Sequence, residues 1–586
     1  MNRKFFIIGY LFLVSLSLNA AQRTVSEATK EANKFLSQST LRSTGDIQLA
    51  YTSMENTYYV FNRPDDSGFV IISGDDKAKT VLGYADNGIF DYSSLPDNFK
   101  YWLSCYEKEL KSLTVQEHVM EITQQNPKAA PANFAPSVTP LVDAKWGQST
   151  PYNNLCPIIP DGKPNAGRRT VTGCVATAIA QIMKYYEWPL SYSFSKSYST
   201  QTLNININES FNGVYDWTNM INSYSGPYTP ANQTAVSTLM YHCGVAVYMD
   251  YDTESGAYSF DVPPALQLFG YDRNMQIYMR DYYTNTEWKN MLMTELSAGR
   301  PVFYSGVSSS DGGHAFVCDG YDTNEFFHFN WGWSGYANGY FELSALNPPA
   351  YDFNFEQTIV TGIQKPNPAS VFPPHQIFTD NPLSPDQTSV GRRQNFSITV
   401  NGLWNMGAHT FDGYLGFRLS DVNDQPVYDK AKYITGSVPS FEGWTEVQFD
   451  ELSIPLAGIS NGNYRLYITY STNGVEWHNI KAPIGVPSYI NVTITSTTIY
   501  FSLPTHIQTP SVSNTVRVYP NPADNELRVE SGKLKVESGT ICDITGKFIF
   551  DFQLSTQIDV SGLPSGVYFL KLETDEGIIS TKFIKK

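Results

Sequence analysis

The sequence has few charged residues. Asp, Glu, Lys and Arg make up 16% of its 586 residues, and the net charge is −16. No basic cluster offsets this negative charge, so the phosphate backbone of a nucleic acid would repel the chain. The HExxH, EF-hand and phosphate-loop motifs of common metal and nucleotide sites are also missing. We therefore expect no nucleic acid partner, and no metal or organic cofactor.

Cysteine is scarce as well, with six residues in the whole chain. They are Cys105, Cys156, Cys174, Cys243, Cys318 and Cys542. Their spacing fits neither the paired CxxC pattern of a zinc site nor a dense disulfide framework. Cys156 could form a bridge with Cys243 or Cys318, but scattered cysteines in a large chain can equally be buried small hydrophobic residues. The sequence leaves both possibilities open.

Long apolar runs are absent beyond the N-terminus, where one run extends from Phe5 to Leu18. Arg3 and Lys4 precede this run, and small residues follow it. That layout predicts a cleaved secretory signal over residues 1–21 rather than a membrane anchor. No later run approaches the ~18 apolar residues that a membrane span needs. We expect an exported protein that is either secreted or held at the cell surface.

A chain of this length exceeds what one hydrophobic core supports, and several folded units are expected. Residues 22–136 combine two helical patterns, TVSEATKEANKFL and NFKYWLSCYEKELKSL, with the strand-like runs TYYVFNR and GFVIISGDD. The run QQNPKAAPANFAPSVTP, residues 124–140, crosses the end of this segment and predicts a linker of the exposed kind that proteases cut. Residues 137–365 hold four of the six cysteines. Short alternating runs over 366–505 predict an immunoglobulin-like β-sandwich, and residues 515–586 predict a second, smaller all-β domain.

Cys174 is the cysteine whose surroundings best suit a nucleophile. It follows Gly173 and begins the run CVATAIAQIMKYYEWP, whose apolar residues recur at helical spacing as far as Pro189. At a helix N-terminus the unpaired N–H groups and the positive end of the helix dipole favour the thiolate over the thiol. A backbone N–H there can also donate to an oxyanion. The alternative is a cysteine that only packs at the start of a helix, and this pattern alone leaves it open.

His314 is the candidate base. It lies in GGHAFVCDGYD, about 140 residues after Cys174, a separation common in papain-like cysteine proteases. Gly312 and Gly313 let the chain turn sharply and leave room beside the imidazole ring for a substrate backbone. A lone histidine at the start of a strand is more often structural, so the spacing supports this assignment without proving it.

Two other histidines lie in the same block. We interpret His242, within a predicted helix, as structural. His328 competes for the role of base, because it lies in FFHFNWGWSGYANGYF, where strand alternation places His328 and Asn330 on one face. Phenylalanines enclose His328, and no adjacent glycine opens a path for substrate, so His314 ranks first.

Asn330 suits a third role, in which its amide oxygen accepts the N–H of the imidazole and holds the ring toward the thiol. Trp331 and Trp333 would shield that hydrogen bond from water. Gln148, in DAKWGQSTPYNNLCP, could supply a second oxyanion donor if its loop folds back beside the start of the Cys174 helix. A glutamine in a polar loop is more often simply solvated.

Four phrases, KWGQSTPYNNLCP, TGCVATAIAQIMKYY, GGHAFVCDGYD and FHFNWGWSGYANGYF, together resemble the streptopain family of secreted papain-like cysteine proteases. They occur in the family's order. The resemblance implies an α+β papain-like fold for residues 137–365. It also implies Cys174 as nucleophile, His314 as base, Asn330 as the residue that orients it, and Gln148 as oxyanion donor.

The resemblance extends to the surroundings of the site. The ring of Trp331 would lie against it, and SGVSSSDGG, from Ser305 to Gly313, would form a mobile wall of the substrate cleft. Substrates would be proteins or peptides, cut with a preference for an apolar side chain one residue before the residue at the cut. Trp331, Ser305, Gly312 and Gly313 are therefore the predicted substrate-binding residues.

The flanking segments agree with this interpretation. Residues 22–136 resemble the α+β inhibitory propeptide of such proteases, which occupies the cleft until it is cut away. The terminal unit, with YPNPADNEL, DITGK and GLPSGVYFLKL, resembles the sorting domain of type IX secretion substrates, so the secretion machinery is an expected partner. We predict a secreted cysteine endopeptidase made as a zymogen. Two alternatives stay open: a catalytically inactive surface adhesin, and an acyl-transfer enzyme that uses the same triad.

Overall fold

The computed structural model describes residues 22–38, 46–115, 134–308, 312–345 and 357–504, and the C-terminal stretches 517–519, 523–530, 536–543, 548–553, 557–564, 566–574 and 577–585. These residues fall into two compact units. The first takes those within 1–91, 106–123 and 344–349, and the second takes those within 92–105, 124–343 and 350–586. No helix in the described ranges is both long enough and apolar enough to cross a membrane.

The first unit combines helix α1 (Val25–Gln38) with an antiparallel sheet in the order β1-β2-β3-β4. Its strands are β1 (Gln48–Thr52), β2 (Tyr58–Asn62), β3 (Phe69–Ser73) and β4 (Val81–Ala85). Thr24 and Glu27 cap α1 reciprocally: Thr24 N–H donates to the Glu27 carboxylate at 2.7 Å, and Glu27 N–H donates to Thr24 Oγ1 at 3.3 Å. The predicted helix and the predicted strands β2 and β3 are confirmed, and β1 and β4 complete the sheet.

The second unit contains an antiparallel run of strands in the order β11-β10-β9-β8-β12-β7 and a separate hairpin, β5-β6. These strands are β5 (Ser191–Ser199), β6 (Asn206–Val214), β7 (Gln276–Met279), β8 (Val302–Ser308), β9 (Gly312–Tyr321), β10 (Phe327–Asn330), β11 (Gly339–Phe341) and β12 (Thr358–Thr361). The helices of the same region are α3 (Cys174–Tyr186), α4 (Pro230–Ala246), α5 (Val262–Leu268) and α6 (Asn285–Ser297).

Helix α3 is the central helix of this region. It packs against strand β9 and against helix α4. All of its residues from Val175 to Met183 are buried, as expected of a helix enclosed on more than one side. The start of α3, where Cys174 lies, is therefore held against the sheet by the core itself.

Helix α2 (Asp97–Val115) begins in the second unit and ends in the first. Its predicted position over NFKYWLSCYEKELKSL is confirmed. In the second unit, the Trp102 ring meets the rings of Phe316 and Phe329 edge to face, with centroids 6.0 and 4.7 Å apart. The apolar face of its first turns therefore covers strands β9 and β10.

Residues 377–502 form the predicted β-sandwich. One sheet has the order β13-β16-β14, with β19 on β16, and the other has the order β15-β23-β22-β20-β17-β18, with β21 on β20. The strands are β13 (Ile377–Thr379), β14 (Ser384–Pro385), β15 (Ser389–Gly391), β16 (Phe396–Asn405), β17 (Phe411–Ser420), β18 (Pro426–Val438), β19 (Gly443–Leu452), β20 (Gly462–Ser471), β21 (His478–Asn479), β22 (Tyr489–Ile494) and β23 (Thr498–Ser502). Alternate residues such as Ile398 and Val400 of β16 enter the shared core, which explains the alternating sequence pattern.

The β-sandwich is joined to the preceding region by specific contacts. Tyr282 OH donates to Asp380 Oδ1 at 2.7 Å, and the Tyr282 ring stacks on Phe378 with centroids 4.3 Å apart. Gln376 Nε2 donates to Ile277 O at 3.0 Å. These polar and aromatic contacts hold the sandwich in one position on its neighbour.

The terminal segment is also all-β, as predicted. It forms two small sheets in the orders β24-β25-β28 and β27-β26-β29-β30. The strands are β24 (Arg517–Tyr519), β25 (Glu526–Glu530), β26 (Val536–Asp543), β27 (Phe548–Gln553), β28 (Ile558–Asp559), β29 (Gly566–Thr574) and β30 (Gly577–Lys585). Leu527, Ile541, Leu570 and Phe583 are buried in its core.

The second half of the predicted exposed linker over residues 124–140 has exposed residues at Pro136, Ser137, Thr139 and Pro140. Residues 124–133 lie outside the described ranges. After them, Val138 and Tyr321 exchange two backbone hydrogen bonds of 2.8 and 2.9 Å, and Tyr321 OH donates to Ala135 O at 2.6 Å. The chain from Ala135 onward is therefore bound to strand β9 rather than free.

Candidate active site

Cys174 is the first residue of α3, as predicted. Gly173 before it has a φ of +84°, a conformation that glycine adopts without strain. A Cβ atom on Gly173 would lie 2.6 Å from Met249 Sδ and 3.0 Å from Ser255 O, so a larger residue would not fit. Thr177 donates from its N–H and its Oγ1 to Gly173 O, at 3.1 and 2.9 Å, which closes the first turn. The N–H groups before Thr177 have no acceptor within the helix.

The Cys174 thiol is half-buried and lies against backbone N–H groups. Burial raises the pKa of Cys174, and hydrogen bonds from the N–H groups of Ala315, Val175 and Cys174 itself act in the opposite direction. The negative charge of Asp97, at the start of α2, adds to the rise in pKa. Since Ala315 directly follows His314, the sulfur lies beside the backbone of the residue next to the candidate base.

We expect Asp97→Asn to lower the pKa of the Cys174 thiol, because it removes a negative charge that disfavours the thiolate. Iodoacetamide should then alkylate Cys174 in the uncut chain about two- to threefold faster at neutral pH. Mass spectrometry of the Cys174 peptide would give the alkylation rate at each pH, and the curve of rate against pH should move to lower pH. Glu107→Gln, later in the same helix, is the control. An unmoved curve for Asp97→Asn would show that its charge does not reach the thiol.

His314 lies near the start of β9 and is half-buried. The register of β8 and β9 places it opposite Gly306, with Ala315 opposite Ser305. A Cβ atom on Gly306 would overlap the Tyr101 ring of α2, so α2 approaches the sheet closely at this point. His314 therefore lies at the edge of the region that α2 covers.

The predicted mobile wall over residues 305–313 consists of strand residues where the structure describes it, and its role in the cleft stays a prediction. Residues 305–308 belong to strand β8, Gly312 and Gly313 belong to strand β9, and residues 309–311 lie outside the described ranges. Ser305 is buried, and its hydroxyl oxygen lies 2.8 Å from Ser259 Oγ. Contact of these residues with substrate stays a prediction.

Asn330 is the last residue of β10 and is only 1% exposed. Its Nδ2 donates to Ala144 O at 2.9 Å, and its Oδ1 accepts from Gly332 N–H at 3.2 Å. A Cβ atom on Gly332 would lie 3.1 Å from Thr177 Cγ2, so the end of β10 packs on the first turn of α3. The structure thus brings Asn330 close to the start of that helix. Its hydrogen bond to the His314 ring stays a prediction.

Gln148 lies in the loop that leads toward α3 and is half-buried. Its carbonyl oxygen accepts from Thr172 N–H at 3.1 Å, two residues before Cys174. Nearby, Trp146 N–H donates to Oε1 of the buried Gln181 in α3, at 3.2 Å. The loop therefore folds back beside the start of the helix, as the predicted oxyanion role requires.

The first turns of α2 lie against these residues. Asn98 is 1% exposed and donates from Nδ2 to Trp331 O at 2.7 Å and to Ala315 O at 3.3 Å. The Phe99 ring stacks on the buried Trp331 ring, with centroids 5.0 Å apart. Trp333, in contrast, is 40% exposed, so of the two tryptophans only Trp331 can shield a hydrogen bond from water.

The sequence gives little indication of the roles of Asp97 and Asn98. The pair stands at the start of a predicted helix, where Asp and Asn are the ordinary capping residues. The contacts of Asn98 with residues more than 200 positions later in the chain, and the effect of Asp97 on Cys174, depend on the tertiary fold. No local pattern in the sequence distinguishes a residue that only caps the helix from one that also acts on the candidate site.

The other two histidines of the block 137–365 have structural contacts. His328 Nδ1 lies 2.6 Å from Oδ1 of the fully buried Asp319, whose Oδ2 accepts from Val142 N–H at 3.0 Å. His242 Nδ1 lies 3.0 Å from Tyr215 OH, and burial lowers the pKa of His242 to about 4. Both arrangements agree with the preference for His314 as the base.

The cysteines differ in exposure. Five have described side chains, and all five are free thiols: Cys105, Cys156, Cys174, Cys243 and Cys318. The bridge considered between Cys156 and Cys243 or Cys318 is therefore not formed, and the Cys542 side chain lies outside the described set. Burial raises the pKa of Cys156 to about 12 and also raises that of Cys243 and Cys318. Among these five, Cys174 alone is partly exposed.

Comparisons with known proteins give three family matches. Residues 146–341 match the Peptidase C10 family, residues 20–110 match the Spi protease inhibitor, and residues 517–586 match the secretion system C-terminal sorting domain. Streptopain of Streptococcus pyogenes is 35% identical over 379 residues, which cover 58% of this chain and 92% of streptopain. The chain belongs to the Peptidase C10 family.

Two further relatives extend the comparison. The thiol protease/hemagglutinin PrtT of Porphyromonas gingivalis is 32% identical over 540 residues, which cover 86% of this chain and 60% of PrtT. The chain thus spans only about three-fifths of the length of that relative. A solved fragment of prointerpain A from Prevotella intermedia is 34% identical, with a TM-score of 0.47, and the match covers 54% of this chain and 98% of the fragment.

Membership in the Peptidase C10 family confirms the predicted resemblance. The chain is a cysteine peptidase with an α+β papain-like domain, preceded by an inhibitor-type propeptide. Two all-β segments follow the peptidase domain. The second matches the sorting domain, which confirms the predicted export to the cell surface or the medium.

Proposed function

We propose that this C10 peptidase is an endopeptidase made as a zymogen, with Cys174 as nucleophile, His314 as base and Asn330 as the residue that orients the base. One observation carries the proposal. Cys174 lies at the N-terminus of a helix that packs on strand β9, the strand that carries His314, and the Ala315 N–H next to His314 favours the Cys174 thiolate. A thiol and an imidazole on such neighbouring positions suit nucleophilic catalysis.

The reaction begins when His314 takes the proton of the Cys174 thiol and the sulfur attacks the carbonyl carbon of a peptide bond. The negative oxygen that forms accepts hydrogen bonds from the Cys174 N–H and the Gln148 side-chain amide. His314 then gives its proton to the leaving amine, and the acyl group remains on the sulfur as a thioester. Water attacks the thioester carbon while His314 takes a proton from that water. The acid product leaves, and the proton returns to the sulfur.

The first turns of α2 keep the uncut chain inactive. Asn98 occupies the carbonyl oxygens of Ala315 and Trp331, and Phe99 covers the Trp331 ring, so a peptide cannot use the same groups. Asp97 also disfavours the thiolate. A cut between α2 and the peptidase domain would let the first turns of α2 leave the site. The groups that Asn98 and Phe99 cover and the thiolate that Asp97 disfavours would then be released together. The substrates are proteins or peptides with an apolar side chain one residue before the residue at the cut.

Hydrolysis of a fluorogenic peptide by the processed chain tests this function. We expect a peptidyl epoxide to abolish cleavage and to leave one adduct, on Cys174, because Cys105, Cys156, Cys243 and Cys318 are buried. Added glycinamide gives an acyl acceptor, and the free acid should remain the main product. An amide as the main product would show acyl transfer instead. No cleavage together with an unreactive Cys174 would contradict the proposal and favour a binding protein.

A further inference from the structure

A loop over residues 249–260, here called the wall loop, begins beside the residue that precedes Cys174. A Cβ atom on Gly173 would lie within 3.0 Å of both Met249 and Ser255, so the wall loop touches the chain directly before the nucleophile. The Ser255 hydroxyl fixes this end of the loop, since it donates to Val171 O at 2.8 Å. The wall loop is therefore one side of the space in front of the helix.

The other end of the wall loop reaches the strands on the far side of that space. Ser259 Oγ lies 2.8 Å from Ser305 Oγ, and Ser305 is paired in the sheet with Ala315. Ala315 directly follows His314, so the strand partner of Ser305 is the residue next to the candidate base. Phe260, the next residue of the loop, carries a large apolar side chain at this end.

Phe260 is met by an aromatic residue from the β-sandwich. The rings of Phe260 and Phe441 have centroids 4.2 Å apart. Both side chains are half-buried and pack on the same hydrophobic cluster as Cys174. Phe441 lies in the turn between β18 and β19, far from the peptidase domain in the sequence. Residues of two domains therefore pack on one apolar cluster.

The turn that carries Phe441 is held in its conformation by a buried asparagine. Phe441 has a φ of +61°, which is unfavourable for a large side chain and persists only where neighbouring contacts enforce it. Phe441 N–H donates to Asn405 O at 2.8 Å. The fully buried Asn405 donates from Nδ2 to Val438 O at 3.0 Å and to Pro439 O at 3.1 Å. These hydrogen bonds fix the turn, and the turn holds the Phe441 ring against the wall loop.

From these contacts we infer that Phe441 is a specificity-determining residue of the peptidase. Together with Phe260 it closes the apolar side of the substrate cleft, so that the β-sandwich takes part in substrate selection. The side chain selected is a branched or larger apolar one at the position before the residue at the cut. This inference rests on the proposed function. It names Phe441 and Phe260 as residues that produce the peptidase's proposed preference for an apolar side chain.

Phe441→Ala tests the inference in the signal-free chain after processing. Two fluorogenic peptides would differ only at the position before the residue at the cut, with Ile in one and Ala in the other. We expect kcat/KM to fall about tenfold for the Ile peptide, mainly through KM, and less than twofold for the Ala peptide, because a lost apolar contact matters only to the side chain that makes it. Phe441→Leu should lower kcat/KM for the Ile peptide about threefold. Tyr500→Ala, which truncates a 49% exposed ring elsewhere in the sandwich, is the control.

The outcomes separate the inference from the proposed function. If wild type cleaves neither peptide, the proposed function fails. If wild type cleaves both and Phe441→Ala leaves the Ile-to-Ala ratio unchanged, the inference is overturned, since a purely structural role would lower both rates together. Loss of folding in both Phe441 variants, seen as loss of the thermal transition, would also overturn it in favour of a structural role.

Discussion

Replacing Cys174 by alanine should abolish both self-processing and peptide hydrolysis. In the proposed mechanism the Cys174 sulfur forms the covalent bond to the acyl group, and no other described thiol is accessible to take its place. Activity is expected to fall by at least about a million-fold, to the limit of detection. Cys243→Ala is the matched control, because this buried cysteine belongs to the core that supports α3. It should keep full activity at the cost of about 1 kcal/mol of stability.

Intact-mass analysis of the signal-free chain over time is the measurement. Wild type and Cys243→Ala should each lose about 100 N-terminal residues, while Cys174→Ala stays whole. The new N-terminus should lie before Ala135, because the chain from that residue onward is bonded to strand β9. If Cys174→Ala is cut like wild type, the processing comes from another protease, and the assignment of Cys174 must rest on peptide hydrolysis alone.

The parts of the site that the sequence predicts are those with a local signature. The start of α3 is one, because a glycine before an apolar helical stripe marks a helix N-terminus wherever it occurs. The face shared by His328 and Asn330 follows from strand alternation. The streptopain-like phrases then add the roles of these residues.

The parts that the sequence does not predict depend on contacts between distant segments. Asn98 has the signature of a helix cap, yet its side chain bonds to Ala315 and Trp331. Phe441 lies in an ordinary turn, and its contact with Phe260 depends on how the sandwich sits on the peptidase domain. Tertiary packing overrides local propensity at all these points.

Two substitutions, His314→Ala and His328→Ala, should separate a loss of catalysis from a loss of stability. In the proposed mechanism the His314 imidazole takes the thiol proton and protonates the leaving amine, so without it kcat should fall about 10³- to 10⁴-fold with little change in KM. His314 is half-buried near the start of a strand, so the melting temperature should change little. Steady-state kinetics with the epoxide-titrated concentration of active enzyme would give both parameters.

His328→Ala should show the reverse pattern. It removes the side-chain partner of the fully buried Asp319, whose other oxygen accepts from Val142 N–H, and the loss of a partner by a buried polar group costs about 1–3 kcal/mol. The melting temperature should therefore drop, while kcat below that temperature stays within about twofold of wild type. His328→Gln keeps a side-chain donor and should recover part of the stability. If His328→Ala loses kcat as severely as His314→Ala while still folded, His328 is the base and the assignment of His314 is wrong.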